Sequence, residues 1–181
     1  RVALSATVRP LERIANWVGG YRLERGADDQ PLYSRRPVTI VESRQPKRYD
    51  VSVRFPPAIA ALAGERRAGD TLWSALADDL RERISEARST LVFTNSRRLS
   101  EKITRLVNDG APREIAWSHH GSLSRELRSA IEKRLKAGEL PALVATSSLE
   151  LGIDIGALDQ VLLVQSPRSL ASAAQRVGRA L

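Results

Sequence analysis

The second half of the chain is patterned as short apolar blocks separated by stretches with helical spacing. TLVF (90–93), EIAW (114–117), ALVA (142–145) and VLLV (161–164) are mostly apolar with no polar alternation, as expected of strands buried on both faces of a parallel sheet. Between them the period changes. Leu99, Ile103, Leu106 and Val107 mark a helix ending at Gly110, and Leu127, Ile131 and Leu135 mark another ending at Gly138. Upstream, Leu72, Leu76, Leu80 and Ile84 recur every fourth residue behind Asp70, which is placed to cap that helix. Strands alternating with helices predict βαβ units, hence an α/β fold with an open parallel sheet and helices on both faces.

The first part is less regular. VALSAT followed by VRPLERIANWVGG predicts a short strand, a tight loop and a helix closed by Gly19 and Gly20. YRLERGADDQPLYSRRP shows no clear period and reads as a connector, placing a domain junction so that residues 1–35 stand apart from 36–181. PVTIVESR and RYDVSVRF are β-prone, the second ending against Pro56 and Pro57. At the far end, SLASAAQRVGRAL predicts a helix capped by Ser169. Leu170, Ala173, Ala174 and Val177 form its apolar face; Ser172, Gln175, Arg176 and Arg179 form its polar face, either solvated or turned toward a ligand.

Composition narrows the possibilities. Of 181 residues, 42% are hydrophobic and 28% charged, which suits a globular protein with one main domain. The absence of cysteine excludes disulfides and thiolate-bound zinc, and two histidines are poor material for a metal site, so none is expected. No signal peptide or membrane-spanning run is apparent, which favours the cytoplasm and no membrane partner. Methionine is absent and Arg1 opens inside an apolar run, as in a piece of a longer polypeptide. The net charge of +8 nominates a polyanion as partner. Arginine outnumbers lysine 25 to 4, which biased coding composition or bidentate phosphate binding would each explain.

In open parallel sheets, ligands sit beyond the carboxyl ends of the strands. There the chain places Thr94, Asn95, Ser96 and Arg97; Ser118, His119, His120 and Gly121; Thr146, Ser147 and Ser148; and Gln165, Ser166, Pro167 and Arg168. Singly, each set also reads as caps, turns or packing residues. Together they form a rim of short hydrogen-bonding groups with few carboxylates, suited to phosphate oxygens.

LSAT, LVFTNSR, HHGSLS, VATSSLELGIDIG and AAQRVGRA, in that order, resemble the second RecA-like lobe of a superfamily-two helicase, in particular the large helicase-related (Lhr) family. The resemblance implies a RecA-like fold. It also implies that Ser5 and Thr7, in the SAT motif at the tail of the first lobe, couple hydrolysis to strand movement. Thr94, Asn95, Ser96, Arg97, His120, Thr146, Ser147 and Ser148 would grip the nucleic-acid backbone. Gly152, Asp154 and Gln175 would line the ATP side, with Arg176 and Arg179 as catalytic arginines crossing the cleft to the phosphates.

No G-x-x-x-x-G-K-[ST] or acidic D-E-x-[DH] run is present. ATP and magnesium are therefore expected to serve the parent protein, with none bound tightly by this piece and no hydrolysis by it alone. The implied partners are the first RecA-like lobe and single-stranded DNA, with RNA or a DNA–RNA hybrid as alternatives. Leu181 stands where the family continues with glycine. A non-catalytic docking module on the same fold is the competing reading, although it predicts loss of Arg176, Arg179, Thr146 and Asp154, all of which stand. A nucleotide-sugar transferase would leave QRVGR unexplained.

Overall fold

The computed structural model describes residues 2–5, 7–25, 30–43, 48–56, 68–150 and 158–180. It contains two compact units, Arg1–Tyr49 and Asp50–Leu181. The division falls after the junction expected at residue 35, because the segment following the connector stays with the first unit.

In the first unit, α1 (Leu11–Gly19) ends where the Gly20 N–H donates to the Asn16 carbonyl at 3.0 Å, with Gly20 at φ +65°. The expected connector is instead a hairpin. β1 (Tyr21–Arg25) pairs antiparallel with β2 (Pro31–Arg35), with Leu23 opposite Tyr33. Tyr21 and Leu23 alternate with Arg22 and Glu24, but Arg25 breaks the pattern on the apolar face and all five residues are exposed, so the strand carries little burial signal. Conversely, the described residues of PVTIVESR and RYDVSVRF form no strand. Valine and isoleucine favour a pleated surface, but a strand also needs a neighbour to complete its ladder.

The second unit is the predicted α/β layer structure. Its elements are α2 (Ala68–Glu86), β3 (Thr90–Phe93), α3 (Arg97–Asp109), β4 (Ala116–His119), α4 (Arg125–Lys136) and β5 (Ala142–Ala145). A 3-10 turn (Ser147–Leu149), β6 (Gln160–Leu163) and α5 (Leu170–Val177) follow. The helix α2 starts before Asp70, so that residue lies within its first turn rather than at the cap. All four strands of the sheet are parallel, in the order β4-β5-β3-β6. This α/β arrangement is RecA-like.

Alternate residues of each strand serve opposite layers. Leu91, Phe93, Leu143 and Ala145 join Ile131 and Leu135 of α4 on one face. Val92, Ala142 and Val144 join Leu80 and Ile84 of α2 and Ile103 and Val107 of α3 on the other. Two polar residues lock α3 down. Buried Ser100 donates to the Val144 carbonyl at 2.8 Å, and Asn108 bonds the Ile115 and Ala116 amides and the Ala116 carbonyl. Beyond α4, Gly138 adopts φ +71°, a left-handed turn that glycine enters without steric cost. The chain then enters β5, and every β-to-loop transition of the sheet opens on the same edge.

Candidate functional site

The loops at that edge are held by different means. Ser96 caps α3, its Oγ accepting from the Leu99 amide at 3.2 Å; Ser124 caps α4 and Ser169 caps α5 in the same way. Arg97, exposed at the start of α3, donates to the Ser122 hydroxyl, so the loops after β3 and β4 touch. Ser147 is exposed and Thr146 is half-buried, its hydroxyl making no cap bond to the turn.

Thr94 and His120 lie inside rather than on the rim. Thr94 is fully buried, and its hydroxyl donates inward to the Ser96 and Ala145 carbonyls. His120 is buried with neither ring nitrogen in a hydrogen bond; Nε2 comes within 3.1 Å of Glu101 Oε1, close enough for an ion pair but misaligned for a bond. Each follows directly on a strand of the sheet, β3 or β4, and is buried with it.

His119, which the spacing placed beside His120 without a role, is a structural centre. Its Nδ1 stands 2.9 Å from Ser148 Oγ and its Nε2 3.1 Å from Glu132 Oε1. Burial, the largest influence, pushes its pKa below the ordinary 6.5 against the opposing pull of Glu132. The neutral ring then donates from Nε2 to Glu132 and accepts from Ser148 at Nδ1. Ser148 is thereby spoken for by the protein interior.

The densest constellation joins three loops. The Asn95 amide N–H donates to Gln165 Oε1 at 3.1 Å, its Nδ2 donates to the Ser166 carbonyl at 2.9 Å, and its Oδ1 accepts from Arg176 Nη1 at 2.9 Å. Arg176 Nε donates to Glu150 Oε1 at 2.8 Å, with the guanidinium 5.1 Å from the Phe93 ring centroid. Ser172 Oγ donates to the same carboxylate oxygen at 2.9 Å, and Arg179 Nη2 donates to the Glu150 carbonyl at 2.8 Å. Nonconsecutive strand order makes this possible, since β3 lies between β5 and β6.

The terminal helix therefore departs from the expectation from its apolar stripe, with Ala173 and Val177 only half-buried and a polar-face residue the most buried of all. Arg176 is 3% exposed, whereas Leu170 is 90% exposed. A guanidinium is buried here because a carboxylate and an amide oxygen receive it. Glu150 was not among the residues expected at the site; the signal that could have found it is a carboxylate two residues past the hydroxyl run at 146–148, in a rim with few carboxylates. Gln175 is half-buried on the same helix.

Ser5 and Thr7 belong to the first unit, where the Thr7 amide donates to Ser5 Oγ at 3.3 Å. Gly152, Asp154 and Leu181 lie outside the described residues. Arginines and a glutamine suit triphosphate oxygens. Among the described residues there is no group of three or more His, Cys, Asp or Glu side chains that could hold a metal ion. No described helix is long and apolar enough to cross a membrane.

Comparison with known proteins adds a family. Residues 73–181 match the helicase conserved C-terminal domain. The chain is 36% identical over 214 residues to the Lhr helicase/probable uracil glycosylase of Mycolicibacterium smegmatis, covering 99% of this chain and 13% of that protein. It is 39% identical over 183 residues to the ATP-dependent helicase Lhr-Core of Methanothermobacter thermautotrophicus, covering 99% and 20%. The structure of Mycobacterium smegmatis helicase Lhr bound to ssDNA and AMP-PNP superposes with a TM-score of 0.78 at 40% identity, covering 97% of this chain and 21% of that one. The chain thus spans between 13% and 21% of the length of these relatives.

Proposed function

The chain belongs to the helicase conserved C-terminal domain family, as the RecA-like C-terminal lobe of an Lhr-type ATP-dependent helicase, and from that premise we propose that Arg179 is its arginine finger and Arg176 an anchored companion. The observation that carries this division is the difference in what the two guanidiniums rest on. Arg176 is buried against a carboxylate, and withdrawing it would strand a mostly buried charge. Arg179 is half-buried, and its Nη2 donates to a neutral carbonyl. Exchanging that acceptor for an anionic phosphate oxygen strengthens its hydrogen bond. In nucleoside triphosphatases such an arginine stabilises charge developing on the transferred phosphoryl group.

In this reading ATP binds between this lobe and a first RecA-like lobe that supplies the phosphate cradle and the magnesium ligands. Gln175 and the two arginines form the far wall; Gly152 and Asp154, which the family resemblance assigns to the same ATP side, lie outside the described residues. Asn95, Ser96, Arg97, Thr146 and Ser147 face a single strand of DNA through its backbone, while Thr94, His120 and Ser148 shape those loops from beneath. Residues 1–35 carry the coupling residues Ser5 and Thr7 from the first lobe. Backbone contacts of this kind accept RNA or a hybrid as well, because hydroxyl and arginine donors bond phosphates of either.

The test is Arg179→Ala in the lobe joined to its ATP-binding partner. Strand-stimulated kcat should fall by about a thousandfold or more with a much smaller change in KM for ATP, and lysine should restore it incompletely. Strand binding without nucleotide should persist. A normal kcat removes the finger assignment.

A further inference from the structure

Glu150 follows the 3-10 turn between β5 and β6, and through two separate atoms it holds Arg176 of α5 and Arg179 just beyond the end of that helix. Its carboxylate takes Arg176 and Ser172, while its backbone carbonyl takes Arg179. The turn itself is fixed, since the Glu150 N–H donates to the Ser147 carbonyl at 3.1 Å. Arg176 then passes the constraint on: its far nitrogen, Nη1, meets Asn95 Oδ1, and Asn95 also bonds Gln165 and Ser166.

We propose that Glu150 is the positioning residue of this lobe, fixing the guanidinium of Arg176 so that the loop after β3 and α5, with Arg179 just past its end, move as one body. This rests on the reading of Arg179 as a finger and of the Asn95 loop as strand-facing. The chemistry needs a carboxylate in that place. Arg176 is buried, so its charge must be balanced locally, and a carboxylate oxygen can accept from Nε and from a serine hydroxyl at once. A glutamine keeps an acceptor oxygen at the same reach but withdraws the charge; alanine withdraws both. The backbone bond to Arg179 survives either change, so what the side chain contributes is orientation of Arg176 and, through it, of the helix.

Two measurements separate the geometry from the function that it serves. In the chain itself, nitrogen-resolved NMR should show a slowly exchanging Arg176 Nε–H, shifted or lost in Glu150→Gln, together with a displaced Asn95 side-chain amide. In the lobe joined to its ATP-binding partner, Glu150→Ala should lower strand-stimulated kcat about tenfold or more with little change in KM for ATP, and Glu150→Gln should restore part of it. A merely structural role would lower the active fraction, moving melting temperature and every activity alike, with no partial rescue in the split between kcat and KM. If Glu150→Ala does not fold, the glutamine variant decides, and wild-type kcat in it overturns the proposal. An Arg176 Nε–H unmoved by Glu150→Gln also overturns it. Absence of strand-stimulated turnover in the unsubstituted joined protein would defeat the finger reading instead, leaving the NMR result to judge the geometry.

Discussion

Replacing Arg176 by alanine probes the buried network most directly. The change removes the 2.8 Å bond to Glu150, the 2.9 Å bond to Asn95 and the contact with the Phe93 ring. It leaves the Glu150 side chain, which is 13% exposed, with its charge uncompensated. Removing one partner of a buried ion pair costs about 3–5 kcal/mol. Glu150 keeps the Ser172 hydroxyl and some solvent, so the lower end of that range applies: about 3 kcal/mol, or a fall of about 6–12 °C in Tm for a domain of this size. Arg176→Lys should recover about half of the loss, because the ammonium balances the charge but cannot span Glu150 and Asn95 together. Urea unfolding of the chain, followed by circular dichroism and analysed by linear extrapolation, reads these values. A double-mutant cycle with Glu150→Gln should show a coupling of about 1 kcal/mol or more. A loss for Arg176→Ala below about 0.5 kcal/mol, the size expected of a solvated surface residue, would refute the inward placement.

Three further outcomes follow from other contacts. A Cβ on Gly178 would stand 2.7 Å from the Ala174 carbonyl oxygen, so Gly178→Ala should destabilise the chain by about 1–3 kcal/mol, read in the same urea titration. The folded-state pKa of His119 lies below its ordinary value, chiefly through burial. The unfolded chain therefore binds the proton more readily; this stability is complete above the ordinary value near 6.5 and is lost as pH falls below it toward the lowered folded value. Tm should drop between about pH 7.5 and about pH 5.5, and His119→Gln should flatten that slope. Binding of single-stranded DNA by this chain alone should be weak and fall steeply with salt, as counterion release at phosphates requires; a salt-insensitive titration by fluorescence anisotropy would contradict a backbone grip.

The order of strands and helices in the second unit was legible without coordinates, because burial imposes a local period that each segment carries within itself. The apolar blocks at 90–93, 114–117, 142–145 and 161–164, the helical periods between them and Ser169 standing one residue before the last helical period were sufficient. So was the family resemblance, which rests on short motifs in order. The side of α5 that is buried was not legible. Leu170, Ala173, Ala174 and Val177 form an apolar stripe by spacing, yet Leu170 is exposed and Arg176 is buried. An arginine is stable inside only if acceptors arrive from elsewhere, and those acceptors, Asn95 and Glu150, stand 81 and 26 residues away along the chain. Only the placing of β3 between β5 and β6 brings them to it. For the same reason the resemblance could assign Asn95 and His120 to a backbone grip without showing which way their side chains turn. Whether Thr94 and His120 face a ligand or the core depends on which loop lies over them, and that is a property of the packed sheet rather than of any segment of the sequence.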